Sequence, residues 1–191
     1  MLDTTGSMFA AINNMKSSFS SVVSTVLIPD IAFGVATFDD YAVDPYGVPG
    51  TDRPFELIQQ ITIDTGAVQS ALNGISLHDG LDTPESSMEA LYQAATGLGH
   101  DLDCNGNYDA STDVRPFVSG AGDAFGGSVS GSYNASTTGG GSIGGVGFRP
   151  GSVPIIAYAT DAPMRDPDSS DSDINVVPSA CPAPPGETAV A

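Results

Sequence analysis

The chain has 191 residues, 40% of them apolar, which suits one domain with a buried core and excludes a disordered acidic tail. Its 23 acidic residues against 5 basic ones give a net charge of −18, a field that repels nucleic acid and anionic lipid and attracts divalent cations. No apolar run reaches the roughly 20 residues a membrane helix needs, so no insertion into a membrane is expected within this chain.

The apolar start Met1-Leu2 reads as the end of a strand and delivers Asp3-Thr4-Thr5-Gly6-Ser7. Asp3, Thr5 and Ser7 put a carboxylate and two hydroxyls at alternate positions, and Gly6 lets the backbone bend tightly between them. Such hard oxygen donors suit Mg²⁺ or Ca²⁺. The same residues also fit an ordinary helix cap. From Ser7 to about Leu27, apolar residues recur in steps of three and four (Met8, Ile12, Met15, Phe19, Val22, Val23, Val26), which predicts an amphipathic helix ended by Pro29. Ile31 to Phe38 predicts a buried strand closed by Asp39-Asp40, and Asp44 to Pro54 a loop. Phe55 to Ile63 predicts a second strand, although FELIQQI fits a helix as well, and Ala67 to Ile75 predicts a short helix. A further helix over Ser86 to Gly97 has Pro84 and Glu85 in its first turn. Val153 to Thr160 predicts a continuous apolar strand ending at Asp161.

Alternation of strands and helices predicts an α/β fold with a doubly wound, mainly parallel sheet and helices on both faces. Ligands of such sheets bind beyond the carboxyl ends of the strands. Asp3, Asp39, Asp40 and Asp161 all stand just after predicted strands, so they are expected on one rim. Residues 99–150 are glycine-rich without helical period and predict a flexible or irregular insertion. Residues 166–191 are rich in Asp, Ser and Pro and predict a loop or tail. Few residues precede Asp3 and no further alternation follows Asp161, so the expectation is one partial domain over 1–191, truncated at both ends. Pairing of Cys104 with Cys181 is left open.

Asp101, Asp103, Asn105, Asn107 and Asp109 alternate around Gly106 like the start of a calcium-binding loop, with Asn107 offering its carbonyl. Thr112 stands where the closing glutamate would be, and an acidic turn-rich loop fits equally. His78 and His100 have no cysteine or second histidine at ligand spacing, so zinc is not expected. Ser7 has neither a Gly-x-Ser-x-Gly setting nor a placed histidine base, so no enzyme is expected.

The run Asp3-x-Thr5-x-Ser7-Met8 resembles the metal-ion-dependent adhesion site of von Willebrand factor A domains. Asp82-Thr83-Pro84-Glu85 is similar to the Asp-x-Pro-Glu of the integrin β-subunit version, Thr160-Asp161-Ala162 to its strand-end motif, and Phe38-Asp39-Asp40 to the strand end serving its second metal. The likeness covers about residues 2–98 and 148–163. It implies Mg²⁺ (or Mn²⁺) held by Thr5, Ser7 and Glu85, with Asp3 and Asp161 orienting its waters, and one position open to an Asp or Glu carboxylate of a protein partner. It implies Ca²⁺ at a neighbouring site of Asp40, Asp82, the Pro84 carbonyl and Glu85, weakened because Gly80 replaces an asparagine. Ala10-Ala11 stand where a third site has its acidic pair, so no third ion is implied. The implied setting is a secreted or cell-surface protein. The alternative is a calcium-stabilised structural module without ligand exchange.

Overall fold

A computed structural model describes residues 1–190 as an α/β fold around a small mixed sheet of three strands; Ala191, the end of the expected tail, lies outside the described residues. Strand β1 (Leu2–Asp3) pairs in parallel with β2 (Phe33–Phe38), matching Leu2 to Thr37 and Asp3 to Phe38. Strand β3 (Glu56–Thr62) settles FELIQQI as a strand, but it runs antiparallel to β2. The sheet is therefore mixed, with only the β1–β2 pair parallel, where a mainly parallel one was expected. Residues 39–55 link the two strands without a helix, and parallel neighbours need a crossover, usually helical.

Val153 to Thr160 is the second correction. The segment lies beside β1 through a single parallel bridge, Leu2 to Ala159, with the Asp3 amide donating to the Ala159 carbonyl at 3.0 Å. Strand β1 offers only two residues to pair with, and Pro154 has no N–H to give. Val153 and Ile155 are 83% and 77% exposed instead of buried.

A 3-10 turn at Gly6–Met8 leads into α1 (Phe9–Thr25). Helix α2 (Thr65–Gly74) starts on Asp64, whose carboxylate accepts from the amides of Gly66 and Ala67. Helix α3 (Ser87–Thr96) begins after Pro84 and Glu85, which therefore precede its first turn, and Gly97 closes it with φ +67°. A short α4 (Glu187–Val190) interrupts the expected tail. Side chains on a strand alternate between faces, and Val35 and Ala36 show the consequence. Val35 packs with Leu2, Met8, Ile12, Val68 and Leu72 under α1 and α2, whereas Ala36 and Phe38 pack with Ala90 and Ala94 of α3. Of the apolar stripe predicted along α1, Met15 and Val22 remain exposed.

Residues 99–150 contain no helix or strand, yet Phe117, Phe125 and Val146 are buried. Close backbone approach accounts for part of the glycine content. A Cβ on Gly145 would lie 2.0 Å from the Gln93 carbonyl oxygen, and one on Gly141 2.2 Å from that of Phe148. Cys104 and Cys181 form a disulfide that ties this segment to the C-terminal one.

Candidate metal centre

Because β1, β2 and the 153–160 segment run in the same direction, their ends present Asp3, Asp39, Asp40 and Asp161 on one side of the sheet. Thr5, Ser7, Glu85 and Asp161 line a cleft of about 340 Å³ there, together with Asp79 and Asp82. Asp3 is fully buried at its base. The Thr5 hydroxyl donates to Asp3 Oδ1 at 2.7 Å, and the Ser7 hydroxyl donates to Asp161 Oδ1 at 2.9 Å. Thr160 donates to Asp3 Oδ2 at 2.6 Å. The Thr5 and Ser7 oxygens stand 3.3 Å apart. Each hydroxyl gives its proton to a carboxylate, which leaves oxygen lone pairs free for a cation.

Glu85 is the strained member. It is buried, and its Oε2 has no hydrogen-bond partner. Burial, followed by the charges of Asp3, Asp40, Asp39 and Asp82, pushes its carboxyl from an ordinary 4.5 up to about 9. The donor set and the orphaned oxygen both fit a hard divalent ion.

This arrangement makes stability depend on pH. An acid whose pKa rises on folding stabilises the fold fully below its unfolded value, and that contribution is lost as pH climbs through the folded value. In the presence of chelator, unfolding free energy should therefore fall between pH 4.5 and about 9, and Glu85→Gln should flatten the slope. Urea titrations across that range check it. Equal slopes in both proteins would mean that Glu85 is ionised throughout.

The residues expected to hold a second ion also come together, but around a side chain. Arg165 Nη2 donates to Asp40 Oδ2 at 3.0 Å, to the Pro84 carbonyl at 2.8 Å and to Asp82 Oδ1. Its Nη1 reaches the Val176 carbonyl, its guanidinium lies over Tyr46, and its amide donates to the Glu85 carbonyl at 2.8 Å. The expected calcium position is corrected on this ground: a guanidinium already neutralises those oxygens. Arg165 was not foreseen, because nothing in Pro163-Met164-Arg165 marks it as the partner of residues 83 and 125 positions away.

Asp39, Asp52 and His78 form a further group that could hold a metal ion, with ligand atoms within 4.8 Å of one another. Among the described residues no other trio of acidic, histidine or cysteine side chains closes to that spacing, the rim carboxylates included. His78 Nδ1 lies 2.7 Å from Asp39 Oδ2, and this hydrogen bond raises the imidazole above its ordinary value. Burial raises Asp52, against the Val48 amide that donates to its Oδ2 at 2.6 Å.

In the 101–113 loop the carboxylates turn onto their own backbone. Asp101 accepts from the amides of Asn105 and Gly106, Asp103 from the Asn105 amide, and Asp109 from Ser111. The Asn105 side-chain oxygen takes the Asn107 amide. Asp113, one place beyond Thr112, is the residue that folds inward, accepting from Leu102 and Asp109.

No helix is long and apolar enough to cross a membrane among the described residues. Compared with models of known protein families and with curated proteins, the chain matches none.

Proposed function

We propose that the chain is a metal-ion-dependent protein-binding module of the von Willebrand factor A type, with the strand plan of a doubly wound α/β domain. The observation carrying this reading is the rim cleft lined by Thr5, Ser7, Glu85 and Asp161, where Thr5 is bonded to the buried Asp3, Ser7 to Asp161, and Glu85 keeps a buried oxygen without a partner. Thr5, Ser7 and Glu85 hold Mg²⁺ or Mn²⁺, and Asp3 and Asp161 fix the hydroxyls and nearby water. When bound, the ion supplies a coordination position that an Asp or Glu carboxylate of a partner protein fills. The two neutral hydroxyls cancel none of the ion's charge and Glu85 cancels only part of it, so the site attracts an anion with modest affinity despite the chain's net −18. The activity in this reading is binding, by coordination of the partner's carboxylate to the ion. The Cys104–Cys181 disulfide supports an oxidising setting, secreted or at a cell surface.

At a hundredfold excess over its Kd, Mg²⁺ should stabilise the chain by about 2.7 kcal/mol, raising Tm by roughly 5–10 °C. Asp3→Ala should remove most of that gain, and Ser7→Ala should abolish capture of an Asp-containing peptide without unfolding the chain. Identical melts of the wild type in Mg²⁺ and in EDTA would sink the reading. A calcium-stabilised structural module, in which metal ions only hold loops together, is the second reading. Under it, Ca²⁺ raises Tm whether or not Ser7 is intact.

A further inference from the structure

We propose that Asp39, Asp52 and His78 form a second site, distinct from the rim cleft in its donors, for a first-row transition ion of the zinc class. Three different stretches supply the donors: the end of β2, the loop leading to β3, and the segment after α2. No sequence spacing links them, which is why the histidines gave no zinc signal.

Three observations carry the assignment. The donor atoms lie within 4.8 Å of one another, and donors bound tetrahedrally to a single ion at about 2.0–2.2 Å stand roughly 3.3–3.6 Å apart, so side-chain closure of about an ångström or less at the widest pair brings them onto one ion. Asp52 is wholly buried, yet its Oδ1 has no hydrogen-bond partner. Two buried carboxylates face one imidazole, so even a protonated His78 leaves one negative charge uncompensated, whereas a divalent ion with neutral imidazole cancels both. An unpaired buried charge is expensive, and unpaired polar atoms of this kind call for a ligand.

The donor chemistry sets the class of ion. One imidazole nitrogen with two carboxylate oxygens is a harder set than a thiolate site and a softer one than the rim, which offers oxygen alone. Both cysteines are in the disulfide, so no thiolate competes. His78 retains 23% side-chain exposure, giving the ion a way in, while His100 is fully buried. As the ion enters, the proton between Nδ1 and Asp39 Oδ2 leaves to solvent and the nitrogen lone pair becomes the ligand. Asp39 also accepts the Thr4 hydroxyl through Oδ1, and the His78 amide donates to the Thr4 carbonyl at 2.9 Å. An ion at this point therefore braces the loop that carries Thr5.

The test uses the full chain, stripped with EDTA and desalted, titrated with Zn²⁺ against a chromophoric chelator in excess Mg²⁺. The wild type should retain one equivalent of Zn²⁺, with affinity at least tenfold lower in both His78→Ala and Asp52→Asn. His78→Gln, at a half-exposed position, gives a folded variant if Asp52→Asn melts early. In the unaltered protein, the His78 ring protons should shift on adding Zn²⁺ while those of His100 stay fixed. Equal affinity in wild type and His78→Ala, absence of zinc uptake, or unmoved His78 signals would each overturn the proposal. Mg²⁺ melts of the same variants report the rim separately, so either site can fail alone.

Discussion

Above about pH 8, where Asp40 is ionised, Arg165→Ala should lower the unfolding free energy by about 3–5 kcal/mol, as removing one partner of a buried ion pair does. The loss falls mainly on Asp40, which is fully buried; Asp82 has 37% side-chain exposure and water screens it. Burial pushes the Asp40 carboxyl up to about 8 even with the guanidinium pulling it down. Without Arg165 the acid takes up a proton more readily, so the damage should be largest at high pH. Ca²⁺ should then bind where the guanidinium was, stabilising the variant by more than it stabilises the wild type. Arg165→Lys should fall between, because an ammonium keeps the charge but loses the Nη1 contact to the Val176 carbonyl and the planar stacking over Tyr46. Urea unfolding with and without Ca²⁺ decides it, and a variant as stable as wild type would show that the guanidinium is dispensable.

Reducing the disulfide should cost about 4 kcal/mol. Cys104 and Cys181 lie 77 positions apart, and a closed loop of that length restricts the unfolded chain strongly. The bond joins two segments without regular structure, 99–150 and the stretch before α4, so few cooperative backbone ladders replace it. Denaturant midpoints with and without reductant, compared with the Cys104→Ser, Cys181→Ser double variant, measure the effect. Coincident curves would mean that packing alone holds the two segments.

The elements that position the rim were legible because each has a local signature. Apolar spacing gave α1 and α3 within a few residues, and Asp3, Asp39 and Asp161 follow apolar stretches that do lie side by side. The direction of β3 was not, because FELIQQI carries no record of its partner, and the absence of a crossover helix had to outweigh the expected fold plan. Residues 99–150 misled in a different way. Glycines at 141 and 145 read as freedom, whereas their backbones sit against carbonyl oxygens that a side chain would strike. Arg165 and the Asp52–His78 pairing depend on contacts between distant segments, which no single stretch encodes.

The stretch beside β1 governs how the protein behaves in bulk solution. Val153 and Ile155 stand open to water at the mouth of an apolar groove of about 840 Å³ that Ile28 and Phe148 also line. A surface like this attracts its own kind, and at low ionic strength the charge of −18 on every molecule keeps copies from meeting. Salt removes that protection, since the range of the repulsion shrinks from about 10 Å at 0.1 M to about 3 Å at 1 M. Light scattering should therefore rise as sodium chloride is added, opposite to the usual salting-in of acidic proteins, and Ile155→Glu should keep the solution clear.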